Sequence, residues 1–146
     1  PPGAHAITVR GVNGEPVVAE RWIEANGSGR LGLAVTNGSP ISAERWLFAF
    51  GATNASNDEW IVIQNVSGED VTVDVVALAS GQLLPIQNLQ RLKVPAGSRK
   101  PVRLGDHIKR DDLPLLVTAS GPVVVERDVY RVGILGISTS IGVALR

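Results

Sequence analysis

Three Glu-Arg pairs carry most of the chemistry this chain could offer: Glu20-Arg21, Glu44-Arg45 and Glu126-Arg127. Two of them sit in the same tetrapeptide, Ala-Glu-Arg-Trp, at 19–22 and 43–46. In an extended chain alternate side chains share a face. Arg21 then keeps company with Val17, Ala19 and Ile23, Arg127 with Val123, Val125 and Val129, and Arg45 with Ile41, Ala43 and Leu47. A guanidinium on an apolar face needs partners, because a dry, unpaired charge is costly. One use of such an arginine is an anion site for a phosphate or a carboxylated sugar. The other is structural, with the stem buried at a sandwich edge and the head held by a carboxylate or turn carbonyls. The repeated motif favours the structural use.

Aromatic side chains near these arginines suggest a second chemistry. Trp22, Trp46 and Tyr130 could stack on sugar rings, and with Arg21 and Arg127 they form the candidate ligand-binding set. The chain holds only three Trp, one Tyr and two Phe. Core packing therefore competes for every one of them, and Trp60, which begins the run Trp60-Ile-Val-Ile, is expected in the core.

Other constellations are weaker. Asp106, His107, Asp111 and Asp112 could offer oxygen and imidazole ligands, but zinc would want a second histidine or a cysteine nearby. The other histidine is His5 and there is no cysteine. Calcium would want six to eight oxygens, and no alternating aspartate loop closed by glycine is present, so no metal is expected. There is no Gly-x-Ser-x-Gly elbow, no P-loop and no dinucleotide fingerprint. Asp58, Glu59, Glu69 and Asp70 could pair as carboxylates, yet nothing fixes their separation. A non-catalytic chain without a cofactor is the expectation. The Asn-x-Ser triplets at Asn26, Asn37, Asn54 and Asn65 read as turn composition.

Composition narrows the partners. Fourteen basic residues balance fourteen acidic ones, and no basic stripe speaks for nucleic acid. No apolar run approaches the length of a membrane span. The absence of cysteine removes disulfides and thiolate chemistry. The chain opens Pro-Pro-Gly, so any leader is expected to have been removed.

The elements that must position these residues are strands. Val17-Val18-Ala19, Trp60-Ile-Val-Ile, Val71-Thr-Val-Asp-Val-Val, Leu115-Leu-Val-Thr and Val123-Val-Val are short, β-branched and bounded by Gly, Asn, Ser or Pro. No 3.6-residue period persists, and only 104–113 suggests a helical turn. The spacing predicts an all-β, antiparallel, immunoglobulin-like β-sandwich. Strand 60–65 is expected to turn at Ser67-Gly68 and pair with 71–76, with Val71, Val73 and Val75 on the dry face. Residues 92–104 read as strand, Pro-Ala-Gly turn, strand. Pro16-Val-Val-Ala-Glu-Arg matches Pro122-Val-Val-Val-Glu-Arg, each followed by a glycine-led apolar stretch. This predicts an internal repeat of a strand pair, 16–36 equivalent to 122–142. The expected division is 1–40, strands packed on or completing the domain, and 41–146, the sandwich itself.

The order of an aromatic-rich strand, Glu59-Trp60-Ile-Val-Ile-Gln-Asn, a turn, a valine strand, Val94-Pro-Ala-Gly-Ser-Arg and Pro122-Val-Val-Val-Glu-Arg resembles an actinobacterial family of secreted or cell-envelope proteins, the domain of unknown function DUF5719. The resemblance covers most of 16–143. Glu59-Trp60 to Asn65 is also similar to the start of bacterial immunoglobulin-like modules, which continue Asn-Pro where this chain has Asn65-Val66. The family has no assigned activity, so the resemblance implies a sandwich and an extracytoplasmic location. The expected function is a non-catalytic structural or interaction module with a protein partner or self-association. The alternative is a carbohydrate-binding module for cell-wall polysaccharide.

Overall fold

A computed structural model describes residues 5–27 and 29–146, and shows strands joined by turns with one short 3₁₀ helix. The Pro-Pro-Gly opening and Ser28 of the Asn26 triplet lie outside the described residues. No described helix is long and apolar enough to cross a membrane.

The fold is built around one long strand, β9 (Leu115–Arg131). Its first half pairs antiparallel with β5 (Val71–Ala79) and β3 (Ala43–Phe48). Its second half pairs with β4 (Asn57–Asn65) and β10 (Ile137–Ile141). β6 (Gln82–Pro85) and β7 (Leu92–Val94) extend the first group through β5, and β11 (Val143–Ala144) through β3. β8 (Arg99–Arg103) extends the second through β4. The Leu104–Asp106 helix follows β8.

The segments 115–118 and 123–125, read from the sequence as separate short strands, are one: the strand runs through Ser120-Gly121-Pro122. Proline has no N–H to give a ladder, and Pro122 stands where β9 leaves β5 at Ala119 and takes up β4 at Val123. The expected hairpins 60–65/71–76 and 92–94/99–103 are likewise arches. β4 and β5 have no shared ladder, nor do β7 and β8, because in each case the chain crosses from one group of strands to the other. The alternation within β5 is as expected: Val71, Val73, Val75 and Ala77 are buried while Thr72, Asp74 and Val76 are half-buried.

One core joins both groups: Val73, Val75, Val117 and Leu115 from the first meet Ile61, Ile63, Val123 and Val125 from the second. Trp46 is the largest fully buried side chain, and its indole N–H is shared between the Ala43 and Val123 carbonyls (3.1 and 3.0 Å). β1 (Glu20–Gly27) and β2 (Arg30–Asn37) stand apart as a two-stranded antiparallel sheet packed against β10 and β9. Both segments of the proposed repeat form antiparallel pairs, but in different registers. Glu20 faces Asn37, whereas Glu126 faces Ile141.

The β4–β5 arch is held by Asn65, which is fully buried. Its amide N–H groups donate to the carbonyls of Glu69 (2.7 Å), Val94 (3.0 Å) and Pro95 (3.2 Å). Its oxygen accepts from the Ser67 N–H and hydroxyl. Three acceptors on one side and two donors on the other fix the amide's orientation. Asn65→Ala should cost about 1–3 kcal/mol for the orphaned partners. Asn65→Asp should lower the melting temperature further, because it sets a carboxylate oxygen against three carbonyls. Equal melting temperatures for the two variants would contradict the clamp.

Candidate functional site

Strand register turns the outer face of the second group into a map. Asp58, Trp60, Val62 and Gln64 on β4 stand beside Tyr130, Asp128, Glu126 and Val124 on β9. Arg103, Pro101 and Arg99 flank them on β8, and Ile137, Thr139 and Ile141 on β10. This face is rich in carboxylates, and the β1–β2 hairpin lies on it through two arginines. Arg21 ion-pairs with Glu126 and reaches Asp128 (3.4 Å), while Thr139 donates its hydroxyl to Glu126 (2.8 Å). Arg30 ion-pairs with Asp58 and lies over the rings of Tyr130 (4.2 Å) and Trp60 (5.2 Å). Arg103 Nε also donates to Asp58 (2.6 Å).

The electrostatics follow from this pairing. Burial would raise the Asp58 carboxyl, but hydrogen bonds from Arg103 and Arg30 outweigh it and hold the group below its ordinary range. Burial and then the charge of Asp128 push the Tyr130 hydroxyl up. Between the arginines the hairpin turns Ile23 and the small residues Ala25, Gly32 and Ala34 inward. A Cβ on Gly32 would stand 2.8 Å from Ile137 Cγ2, and its φ of +153° lies in glycine's territory.

With its arginines turned to the body, the hairpin presents its large apolar residues outward except Ile23, which lies on the inward face between Arg21 and Ala25. Trp22 (68% exposed), Leu31, Leu33 and Val35 share that outer face. Leu135, bridged to Leu31, extends the patch toward Ile134. Glu20 and Glu24 border it along β1. Contiguous exposed apolar surface of this kind marks an interaction site more often than an isolated leucine does.

The predicted ligand set does not come together. Trp22 is on the hairpin's outer face, Tyr130 lies beneath Arg30, and Trp46 is 1% exposed within the core, so no stacking platform exists. That corrects the reading of Trp46: its ring faces inward and its N–H is already spent on two carbonyls. Arg45 is also corrected, being exposed on the face opposite Trp46 and Phe48, after a register shift between Ala43 and Arg45. Trp60 sits half-buried on the outer face, and does not enter the core. Asp106, Asp111 and Asp112 are exposed on the loop after β8, and no group of three or more metal-ligating side chains gathers among the described residues.

Arg127 does face inward, but not onto a carboxylate hydrogen bond. Its guanidinium lies over the Phe48 ring at 5.7 Å, and its buried Nε and Nη1 have no acceptor among the described residues. Nearby, Glu59 is fully buried: Oε2 accepts from the Ala52 N–H (2.6 Å) and Oε1 has no donor among the described residues. A Cβ on Gly51 would come within 2.5 Å of Oε1, so glycine there is what lets the loop close over the carboxyl. Burial pushes the Glu59 carboxyl up to about 7, against the opposing pull of Arg127 and the Ala52 bond.

The sequence reading named Asp58 only as one of four carboxylates that could pair, and missed Arg30 and the outward face of β2. Their signal was the alternation Arg30-Leu-Gly-Leu-Ala-Val-Thr, with small residues on one face and large apolar ones on the other, the inverse of an ordinary core strand.

Among solved structures, the chain is similar to the Anabaena sensory rhodopsin transducer, at 28% identity and a TM-score of 0.50, over 62% of this chain and 99% of that one. It is also similar to Thermotoga maritima 1070, at 18% identity and a TM-score of 0.58, over 70% and 95% of the two chains. The second likeness speaks for the fold alone. No family model and no curated protein matches the chain.

The raised Glu59 carboxyl has a sign. Between its usual 4.5 and about 7 the folded protein binds this proton and the unfolded chain does not. The stabilisation is complete below 4.5 and is lost as pH rises through 7, by up to about 3 kcal/mol. Chemical denaturation from pH 4 to 8 should show that fall relative to Glu59→Gln, which removes the titration. Parallel profiles would contradict it.

Proposed function

We propose that this chain is a non-catalytic interaction module that binds a protein partner through the outer face of the β1–β2 hairpin. The observation that carries the reading is the division of the hairpin into a charged face spent on the sandwich and an exposed apolar face of Trp22, Leu31, Leu33 and Val35. Trp22 in the midst of aliphatic neighbours is the kind of aromatic anchor that dominates binding energy at interfaces. The acidic border, Glu20 and Glu24, selects the partner's chemistry: an apolar strip flanked by Lys or Arg. Two copies placed face to face would oppose their own acidic borders, which disfavours self-association. One of the similar structures bears the name of a sensory rhodopsin transducer, and a transducing role is in keeping with a sandwich that binds without chemistry. An extracytoplasmic setting belongs to the same proposal and rests on the sequence resemblance. Polysaccharide binding has less support, since Trp22 is the one exposed member of the proposed aromatic set.

The test is a photo-crosslinking residue at position 22 in the native cell, with the adduct identified by mass spectrometry. The expected result is a discrete protein adduct with a basic, apolar surface, lost in Leu33→Glu. For the purified pair, Trp22→Ala should weaken binding by about 30-fold or more, while the free protein's melting temperature stays within about 2 °C. An adduct only to a second copy, or retention on cell-wall polysaccharide that Trp22→Ala abolishes, would overturn the reading.

A further inference from the structure

Beyond the open end of the hairpin, a cleft of about 170 Å³ lies between the outer face of β4, β8 and β9 and the extended segment around Ile7 and Val9. Its lining includes none of the outer-face residues Trp22, Leu31, Leu33 and Val35, so it is a separate feature from the interaction face.

Register explains its floor. Gln64 on β4 stands directly between Arg99 on β8 and Val124 on β9, all on the outer face. The next row holds Val62 and Glu126, and Ile141 of β10 beside Glu126. The charges divide cleanly. Glu126 is committed to Arg21 and Thr139, so this pair is neutral. Glu20 borders the cleft, but strand alternation sends its side chain outward with Trp22. Three donors are left over: among the described residues the half-buried Arg99 side chain has no ion pair or hydrogen bond, the Gln64 side-chain amide has no partner, and the buried Arg21 Nε–H has no acceptor. Val62, Val124 and Ile141 below and Ile7 and Val9 above give the cleft its apolar body, and His5, Thr36, Asn37 and Ser39 also line it.

Convergent donors beside an apolar floor describe an acceptor-rich head on an apolar body. We propose that this cleft binds a small monocarboxylate, its carboxylate held by Arg99 and Gln64 and its short hydrocarbon portion packed on Val62, Val124 and Ile141. A planar guanidinium fits a carboxylate in bidentate geometry. The volume is below the roughly 300–1,000 Å³ of pockets for drug-sized ligands, which limits the occupant to a metabolite-sized acid. Binding here makes no use of the Trp22 face, so it can hold or fail irrespective of the partner proposal.

The test uses the whole chain, labelled with nitrogen-15, titrated with linear and branched monocarboxylates of three to six carbons, 3-methylbutanoate among them. The matching amides and inorganic phosphate form the comparison arms. The expected result is saturable binding near ~1 mM or tighter, an affinity within reach of so small a ligand. It should shift the Gln64 side-chain amide and the Val124 backbone amide. The amides and phosphate should bind at least ~10-fold more weakly, lacking charge and apolar body respectively. Arg99→Gln should weaken carboxylate binding at least ~10-fold, and Gln64→Leu by a smaller factor. Lys93→Gln, an equal loss of charge on β7, should leave it unchanged. Failure of every carboxylate to bind, equal binding of acid and amide, equal binding of phosphate, or full affinity in Arg99→Gln would each overturn the proposal.

Discussion

The seating of the hairpin depends on two arginines meeting three carboxylates. Arg21 on Glu126 and Asp128, and Arg30 on Asp58, hold β1 and β2 against a sheet face that would otherwise carry an excess of negative charge. Ion pairs at a protein surface are individually weak, but these are half-shielded, networked, and in the case of Arg30 reinforced by two aromatic rings. Small residues make the arrangement possible, since Gly32 leaves room for Ile137 and brings the backbones close. Because polar contacts do most of the seating, Trp22, Leu31, Leu33 and Val35 are free to face outward, and Ile23 alone of the large apolar side chains turns inward. Because the hairpin ends before row Gln64–Arg99–Val124, a cleft is left beside it.

A different polar economy operates inside. Glu59 and Arg127 are placed at one end of the core, each with donors or acceptors left over. Their mutual field and the Phe48 ring soften the cost of burial without direct pairing. Such a site is tolerated because the surrounding valine and isoleucine layers are continuous through both groups of strands.

How much of this the sequence disclosed can be judged strand by strand. The all-β class and the dry face of β5 were legible, since Val71 to Ala77 alternate with side chains that meet water. The arches were not, because a strand, a turn and a strand look the same whether the second strand pairs with the first or crosses to another sheet. Pro122 was misleading for a related reason: its missing N–H signals a break, and here the strand changes partners at that point instead. The candidate site shows the limit most sharply. The tetrapeptide Ala-Glu-Arg-Trp occurs twice, yet Trp22 is exposed and Trp46 buried, Arg21 faces the body and Arg45 solvent. Identical local sequence was given opposite orientations by its neighbours, a two-stranded hairpin in one case and an interior strand with a register shift in the other.

The central claim is that the hairpin is seated on the sandwich chiefly by its two arginines, beside a single backbone bridge from the Gly136 N–H to the Leu31 carbonyl (2.7 Å). Amide hydrogen exchange in the parent and in the Arg21→Gln, Arg30→Gln double variant addresses it most directly. The account predicts that amides of residues 20–37 lose protection in the variant while those of 57–65 and 115–131 keep theirs. Unchanged protection in the hairpin, or loss of protection throughout the sandwich together with it, would contradict the account.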